Sequence, residues 1–357
     1  MNAAITGASG FFGGALTRAL CARGDCVRTL VRRPAAAAEL ESVGATTILG
    51  ELTRPDGCDG FVQRGDIVFH AAARVDMSGR WEKFQQTTIE GTRHLLAAAL
   101  PAKPQRFVYI SSGGVYSTDG KDKSCSADRT PARPSSYNFY GRAKLAAENL
   151  VRAECDRAGC EWTILRLGFL YGEGNKALYR HIVPLARTNR FWIIGPGCNR
   201  IATLYIDDAV RATILAGEAA IAAGKIYDLA SDEPVTQKEF FEATADALDL
   251  PRPTRHADRW MAIVAGWLTD RISQWYGHES HVTRAGVALV SANQVVDSSR
   301  IREELGWRPE ISFAEGMRRM REWYLIAAQE LANTEFRNSK SNQPSPTDPT
   351  VARTGSN

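Results

Sequence analysis

The chain of 357 residues is 44% hydrophobic and 24% charged, which is ordinary for a globular enzyme with a full hydrophobic core. Its net charge of +4 is small for this length and its arginines are dispersed, so the sequence gives no basis for a nucleic-acid partner. It contains no run of about 18 apolar residues and therefore predicts no transmembrane helix.

A glycine-rich turn follows the first predicted strand. The apolar residues 3–5 lead into Gly7, Gly10 and Gly13, and a helical pattern continues to about Gly24. This is the context of a dinucleotide fingerprint, because glycine lets the backbone approach a pyrophosphate and the helix N-terminus attracts it. A plain tight turn is the alternative. The turn residues expected at a cofactor are Gly7, Gly10, Phe11, Phe12 and Gly13.

The second predicted strand, residues 27–31, ends in Arg32 and Arg33. A dinucleotide-binding fold often places an acidic residue here, about 20 residues after the glycines, to hold the ribose 2′-hydroxyl of NAD. An arginine at this place instead pairs with a 2′-phosphate through its planar guanidinium. The sequence therefore favours NADP over NAD, and a pair of ordinary surface arginines is the alternative.

A tyrosine and a lysine one helical turn apart form the candidate catalytic pair. Tyr140 and Lys144 have the spacing i, i+4 and therefore lie on one face of the helix predicted for residues 140–150. Tyrosine has an ordinary pKa of about 10 and is a poor base near neutrality. The neighbouring ammonium is expected to lower the pKa of the phenol, toward the range in which general acid–base catalysis is efficient.

Further segments, in order along the chain, resemble the extended short-chain dehydrogenase/reductases, which include nucleotide-sugar epimerases and 3β-hydroxysteroid dehydrogenases. The resemblance extends from residue 2 to about residue 325, and besides the features above it rests on residues 66–73, 107–116, 165–172, 205–208 and 305–309. It implies an α/β fold, namely a Rossmann-type doubly wound parallel sheet with a smaller C-terminal substrate lobe. It also implies an enzyme that uses NADP or NAD.

The resemblance assigns roles to individual residues. Tyr140 would exchange a proton with the substrate oxygen, and Lys144 would lower its pKa and bind the nicotinamide ribose. Ser112, which lies four residues before Tyr116, would hydrogen-bond the same substrate oxygen, whereas Ser111 is expected to be a satisfied strand-end hydroxyl. The other implied cofactor contacts are Glu51, Leu52, Ala71, Ala72 and Ala73.

Alternating apolar strands and amphipathic helices continue to about residue 167, which indicates a parallel sheet with helices on both faces. We predict one two-lobed unit. Residues 1–170 form the cofactor domain, to which residues 200–232 return. Residues 171–199 and 233–330 form the substrate lobe. The polar, proline-rich residues 333–357 are predicted to be a disordered tail.

Seven scattered cysteines lack a Cys-x-x-Cys spacing, and His278 and His281 have no third ligand cluster nearby, so no metal site is predicted. Unpaired thiols indicate a reducing cytoplasm. The first strand begins almost at Met1, which leaves no room for a cleaved signal sequence. The expected location is therefore the cytoplasm, with peripheral contact at a membrane surface as an open alternative.

An apolar helix in the predicted lobe is the main clue to the substrate. Its apolar residues recur every three or four positions and include Trp260, Trp267 and Trp275. Three interpretations stay open at this point. The helix faces the core, or it forms a wall for a bulky apolar ligand, or it rests at a membrane interface, where tryptophan is favoured.

Residues 281–284 and 296–301 resemble the 3β-hydroxysteroid or sterol dehydrogenase branch more than the epimerases. We therefore expect interconversion of a secondary alcohol and a ketone on a steroid, sterol or similar polycyclic lipid. Two forms of this reaction stay open: oxidation of a sterol followed by loss of its 4-carboxylate, and reduction of a 3-ketone. A nucleotide-sugar epimerase or dehydratase is the main alternative. A non-catalytic NAD(P)-binding protein is the third. Dimers built on the Tyr140 helix are common in the resembling family, so a homodimer is also expected.

Overall fold

The computed structural model describes residues 1–75, 79–116, 123–188, 190–276 and 282–326. The predicted tail at residues 333–357 and the pair His278 and His281 lie outside this part of the chain. The strands are β1 (Asn2–Thr6), β2 (Cys26–Val31), β3 (Thr46–Leu49), β4 (Ile67–His70), β5 (Arg106–Ser112), β6 (Lys123–Cys125), β7 (Glu161–Leu167), β8 (Phe169–Tyr171), β9 (Ile193–Ile194), β10 (Thr203–Tyr205), β11 (Lys225–Leu229), β12 (His256–Ala257) and β13 (Gln294–Val296).

The helices are α1 (Phe11–Ala22), α2 (Pro34–Glu41), α3 (Trp81–Phe84), α4 (Gly91–Ala99), α5 (Phe139–Ala158), α6 (Lys176–Arg187), α7 (Ile206–Glu218), α8 (Gln237–Ala247), α9 (Arg259–Tyr276), α10 (Arg284–Ser291) and α11 (Ser299–Leu305). A π-helical segment, Gln85–Glu90, joins α3 to α4, and residues 313–326 are also helical.

Seven parallel strands form the central sheet, in the order β3-β2-β1-β4-β5-β7-β11. The chain starts at β1, moves outward to β3 and then crosses back to β4, which pairs with the other side of β1. The strand order therefore reverses between β1 and β4, and such a switch point opens a ligand crevice at the carboxyl ends of the strands. The predicted doubly wound parallel sheet is confirmed.

Two hydrophobic cores lie on opposite faces of this sheet, because successive side chains of a strand point to opposite faces. On β1, Ala3 and Ile5 belong to the core that contains residues of α1 and α7. Ala4, between them, belongs to the core that contains residues of α4 and α5. Helices thus cover both faces, and the strand ends are fixed from both sides.

The start of α5 is fixed by a side-chain cap. Oδ1 of Asn138 accepts a hydrogen bond from the Gly141 backbone nitrogen at 2.9 Å, and Nδ2 donates to the Gly114 carbonyl at 2.9 Å. The cap satisfies the first turn of the helix and also ties it to the loop that follows β5. Tyr140, in that first turn, is therefore placed beside the carboxyl end of β5.

Three short parallel pairs lie outside the central sheet, namely β8 with β10, β9 with β12 and β6 with β13. The C-terminal part of the chain also contains the helix pair α9 and α10. No described helix is long and apolar enough to cross a membrane.

Helix α9 packs against α10 through one face only. A Cβ on Gly266 would lie 2.6 Å from the backbone nitrogen of Arg284, so the two helices are in close contact there. The opposite face of α9 carries exposed Trp260 and Trp267, and the side chain of Trp275 lies outside the described part of the chain. The interpretation of α9 as a core-facing helix is therefore wrong.

Candidate active site

A cavity of about 1280 Å³ opens at the carboxyl ends of the central strands. Its walls are the glycine turn after β1, the ends of β2, β4 and β5, the start of α5 and, on the lobe side, α10 and β13. The predicted site residues that line it are Gly7, Gly10, Phe11, Phe12, Gly13, Arg32, Glu51, Leu52, Ala71, Ala72, Ala73, Ser112, Tyr140 and Lys144.

The glycine turn leaves no space for side chains. Gly7 has φ +78°, and a Cβ there would lie 2.6 Å from the backbone nitrogen of Ala72. A Cβ on Gly13 would lie 2.2 Å from the carbonyl oxygen of Gly7. Helix α1 starts directly after Gly10, which provides no side-chain cap. The uncapped N-terminus of α1 therefore lies at the cavity, where it favours a phosphate group.

Arg32 and Glu51 lie together at the end of the cavity formed by β2 and β3. Nη1 of Arg32 is 3.9 Å from Oε1 of Glu51, and the two side chains are 72% and 43% exposed. Arg33 does not line the cavity. It is instead the N-cap residue of α2, because consecutive residues at a strand end point in opposite directions. Of the two arginines predicted at the cofactor, the structure brings Arg32 to the site.

The Ser112 hydroxyl lies beside the Tyr140 phenol and lowers its pKa. Both flank Gly114, because a Cβ there would lie 3.4 Å from Oγ of Ser112 and 3.6 Å from the Tyr140 ring. Ser112 is held in place since its Oγ accepts a hydrogen bond from the Gly114 backbone nitrogen at 3.1 Å. Ser111 instead donates to Glu148. The geometry thus pairs Ser112, and not Ser111, with the phenol.

Burial raises the pKa of Tyr140, and the Ser112 hydroxyl lowers it in part. The sequence predicted instead that the ammonium of Lys144 lowers the pKa of Tyr140. Lys144 is itself buried, and burial lowers its pKa to about 7. Its Nζ donates to the Ile110 carbonyl at 2.6 Å. Near neutrality Lys144 therefore carries only part of a positive charge, which weakens the expected effect on the phenol.

A buried carboxylate, that of Glu148, favours the charged form of Lys144. Glu148 lies one helical turn after Lys144, and its charge raises the pKa of the lysine against the effect of burial. Glu148 also forms a two-point ion pair with Arg166, with Nε to Oε1 at 3.0 Å and Nη2 to Oε2 at 2.7 Å. Both side chains are almost fully buried. Glu148 therefore favours the charged form of Lys144 and neutralises Arg166 at the same time.

The network continues from Arg166 to the other edge of the cavity. Nη1 of Arg166 donates to the Tyr116 hydroxyl at 2.9 Å, and that hydroxyl donates to Oδ1 of Asp228 at 2.8 Å. Oδ2 of Asp228 accepts from the Ala127 backbone nitrogen at 2.6 Å. Burial raises the pKa of Asp228 to about 6, and the Tyr116 hydrogen bond lowers it in part. Tyr116 lines the cavity, so the network fixes a site residue.

A buried histidine joins the ends of β1 and β4. His70 Nδ1 lies 2.6 Å from Oγ1 of Thr6, and His70 Nε2 lies 2.9 Å from Oγ1 of Thr92. The Thr92 hydroxyl donates to the Thr88 carbonyl, so it accepts from Nε2–H, and Thr6 donates to Nδ1. Burial lowers the pKa of His70 to about 3. This neutral histidine holds the strand end that leads into the cavity-lining residues 71–73.

The lobe side of the cavity is largely apolar. Its lining includes Leu178, Leu289, Val295 and Val296. The polar residues on this side, Asn175, Thr283, Asn293 and Gln294, each form a hydrogen bond within the protein.

A further cation, Arg133, lines the cavity. Its side chain is exposed, and within the described part of the chain no hydrogen bond or ion pair satisfies its guanidinium. The other cations among the described lining residues are Arg32 and Lys144. This part of the cavity therefore suits a ligand with a bulky apolar body and one negative group.

The residues present fit a nicotinamide dinucleotide. The uncapped start of α1 and the close-packed glycines suit a pyrophosphate. Arg32 and Glu51 lie where the adenosine ribose would follow, while Tyr140 and Lys144 line the opposite part of the cavity.

The sequence profile described as "NAD dependent epimerase/dehydratase family" matches residues 3–230, which is more than half of the chain and includes the Ser112, Tyr140 and Lys144 set. The chain belongs to this family. It is an NAD(P)-dependent enzyme of the extended short-chain dehydrogenase/reductase type, as the sequence resemblance predicted.

Curated relatives of this family member include reductases and dehydrogenases. A 2-alkyl-3-oxoalkanoate reductase of Stenotrophomonas maltophilia is 29% identical over 330 residues, covering 90% of this chain and 98% of the relative. A 4-hydroxy-2-methyl-3-oxo-4-farnesyl-3,4-dihydroquinoline-1-oxide ketoreductase of Stigmatella aurantiaca is 26% identical, covering 90% and 96%. A 3-beta-hydroxysteroid dehydrogenase of Mycolicibacterium neoaurum is 26% identical, covering 88% of each chain.

Among solved structures, the UDP-glucuronic acid 4-epimerase of Bacillus cereus, in complex with UDP-glucuronic acid and NAD, has a TM-score of 0.70. It is 19% identical to this family member, and the match covers 92% of this chain and 100% of the other. At this identity the likeness supports the fold.

Site residues whose partners are distant along the chain were not predicted from the sequence. Glu148 had a usable signal, because it follows Lys144 by four residues and therefore lies on the same helix face. Arg166, Tyr116 and Asp228 had none, since their contacts join β5, β7 and β11. Arg133 was missed because an arginine in an irregular segment has no pattern that distinguishes it from a surface residue.

Proposed function

We propose that this family member is an NADP-preferring oxidoreductase that interconverts a ketone and a secondary alcohol on a bulky apolar carboxylic acid. The ketone is at carbon 3 relative to the carboxylate. Alkylated 3-oxo acids belong to this class, and so do 3-oxo sterols that carry a 4-carboxylate. The proposal keeps the expected steroid or sterol-like lipid and adds a negative group to it.

The supporting observation is that an apolar lobe wall and Arg133 line the same cavity as Ser112 and Tyr140. The guanidinium would pair with the carboxylate of the acid. The apolar side chains would cover its alkyl or ring body. The relatives point to the same chemistry, because the first two act on 3-oxo compounds and the third on a 3β-hydroxyl group, according to their names.

The reaction follows from the hydroxyl pair. In the direction of reduction, the hydroxyls of Ser112 and Tyr140 donate hydrogen bonds to the ketone oxygen, which polarises the carbonyl. The bound nicotinamide supplies the hydride. Tyr140 passes its proton to the oxygen as charge develops there, and the ammonium of Lys144 stabilises the resulting phenolate. In the reverse direction the phenolate accepts the hydroxyl proton. Ser112 keeps its proton throughout.

The rival proposal, a nucleotide-sugar epimerase or dehydratase, needs groups that hold a diphosphate. Asn175 lines the cavity, but both ends of its amide are occupied. Oδ1 accepts from the Leu178 backbone nitrogen at 3.0 Å, and Nδ2 donates to the Leu170 carbonyl at 3.3 Å. Besides Arg133, the cations among the described lining residues are Arg32 and Lys144, which lie at the expected cofactor site and in the catalytic pair. The lobe side therefore favours a lipid-like acid over a sugar nucleotide.

The preference for NADP rests on Arg32, which lines the cavity where a ribose 2′-phosphate would lie. Glu51 lies 3.9 Å away and opposes it, because its carboxylate repels a phosphate and accepts a hydrogen bond from a ribose hydroxyl. The balance between the two residues sets the preference, and the higher exposure of Arg32 leaves its guanidinium accessible to the phosphate.

The test is nicotinamide absorbance with NADPH or NADH and four substrate groups: alkylated 3-oxo acids, the methyl esters of the same acids, 3-ketosteroids, and UDP-glucose. Turnover of the acids with a lower KM than their esters supports the proposal. Turnover of 3-ketosteroids alone would show an oxidoreductase whose substrate needs no carboxylate. Tightly bound NAD in the purified protein, together with conversion of UDP-glucose and no turnover of lipids, would overturn the proposal in favour of the epimerase.

A further inference from the structure

An exposed apolar surface on α9 is not explained by the active site. The apolar face of α9 consists of Trp260, Met261, Val264, Trp267, Leu268 and Ile272, each between 44% and 68% exposed. None of these residues lines the cavity. Six large apolar side chains on one exposed helix face exceed the scattered exposure that a surface normally shows, so this face is a docking surface.

The charged side chain on the apolar face of α9 is an arginine. Arg271 is exposed, and its guanidinium lies over the Trp267 ring at 5.6 Å. Arg259 turns to α10 instead, because its Nε donates to Oγ of Ser291 at 3.1 Å, and the exposed Asp258 directly precedes the helix. The helix has one acidic residue, Asp270, and its carboxylate points away from this face, since it accepts a hydrogen bond from the Arg284 backbone nitrogen of α10.

A second aromatic–arginine pair lies next to the start of α9. Trp192 is 41% exposed, and the guanidinium of Arg255 lies over its ring at 5.9 Å. Strands β9 and β12 hold the two residues side by side, because Ile193 pairs with His256. The tryptophan and arginine pattern of α9 therefore extends beyond the helix.

We propose that the apolar face of α9 docks on an anionic lipid surface. An apolar helix face with tryptophans and flanking arginines matches both parts of such a surface, because the rings enter the headgroup boundary and the guanidinium groups meet the lipid phosphates. The orientation is useful for a lipid-like substrate. Helix α10 separates α9 from the cavity, and its residues Gly286 and Leu289 line that cavity, so docking brings the lobe wall to the membrane.

Two other occupants fit less well. A second copy of this chain, paired through the same face, would take the guanidinium of Arg271 in both copies out of water, which costs free energy. The chain beyond residue 333 has Phe336 and Val351 as its large apolar residues, too few to cover six exposed side chains.

The experiment is co-sedimentation of the full chain with vesicles of phosphatidylcholine, with and without phosphatidylglycerol. The parent protein is expected to bind the vesicles that contain phosphatidylglycerol, and added salt is expected to weaken this binding. The double variant Trp260→Gln and Trp267→Gln is expected to bind at least about tenfold more weakly. The double variant Arg255→Gln and Arg271→Gln, which removes the two guanidinium groups that lie over Trp192 and Trp267, is expected to lose the preference for phosphatidylglycerol.

Ile221→Gln is the matched control, because Ile221 is 52% exposed and lies away from α9 in the turn after α7. It is expected to bind as the parent does. Thermal unfolding shows that each variant is folded, and turnover of a water-soluble ketone tests the proposed function separately.

Three results would overturn the docking proposal. In the first, the parent binds neither vesicle. In the second, the tryptophan variant binds as well as the parent. In the third, the parent self-associates without binding lipid, and the tryptophan variant abolishes that self-association.

Discussion

Replacing Glu148 by glutamine tests whether the buried network behind Lys144 is held by charge. Both oxygens of Glu148 face a guanidinium N–H of Arg166, at 3.0 and 2.7 Å. A glutamine offers one oxygen and one NH₂ group, so in either orientation an N–H donor faces another donor. Arg166 is then a buried charge without its counter-ion. We expect a loss of about 3–5 kcal/mol of unfolding free energy, which is large against a typical total of about 5–15 kcal/mol.

The assay is equilibrium unfolding in urea, and Glu154→Gln is the matched control. Glu154 lies on the same helix, and its ion pair with Arg157 is at the surface, so this substitution is expected to cost about 0.5 kcal/mol or less. Adding Arg166→Met to Glu148→Gln removes the unpaired charge and is expected to recover part of the loss. Equal destabilisation by Glu148→Gln and Glu154→Gln would refute the reasoning.

The same substitution has a consequence for the pH profile. Burial lowers the pKa of Lys144 to about 7, and the Glu148 carboxylate opposes that shift. Without the carboxylate the pKa of Lys144 falls further, so the ammonium is lost at lower pH. The upper limb of the kcat/KM profile is then expected to move to lower pH in Glu148→Gln, and an unchanged profile would show that Lys144 does not set it.

The remaining predictions concern the two ends of the cavity. Gly13→Ala places a Cβ 2.2 Å from the Gly7 carbonyl oxygen, so NADPH affinity is expected to fall at least about tenfold in a fluorescence titration, and unchanged affinity would contradict the role of the turn. Arg32→Gln is expected to raise the KM for NADPH about tenfold and leave NADH unchanged, whereas Arg33→Gln affects neither. Arg133→Gln is expected to raise the KM of a 3-oxo acid about tenfold but not that of its methyl ester, and equal effects on both would remove the carboxylate contact.

Local patterns revealed the parts of this protein that depend on neighbouring residues. The glycine turn and the Tyr140–Lys144 pair each occupy a few consecutive residues, so spacing alone identified them. The doubly wound sheet followed from the alternation of strands and helices. Its central strand order obeys the general rule that places the ligand crevice at the switch point.

Features that depend on contacts between residues distant in the sequence could not be predicted from the sequence. The pKa of Tyr140 is raised because its own phenol is buried, and the burial of a particular side chain is a property of the folded packing. The periodicity of α9 predicted an amphipathic helix correctly, but an apolar face looks the same whether it meets a core or lies exposed. Strands of two or three residues, such as β9 and β12, are too short for any periodicity to reveal.

The most direct test of the whole account is nicotinamide oxidation with an alkylated 3-oxo acid, comparing the parent with Tyr140→Phe. The substitution removes the hydroxyl and keeps the ring beside Gly114. NADPH binding is expected to be retained while kcat falls by a factor of about 100 or more. Turnover by Tyr140→Phe close to that of the parent would show that Tyr140 does not carry the proton.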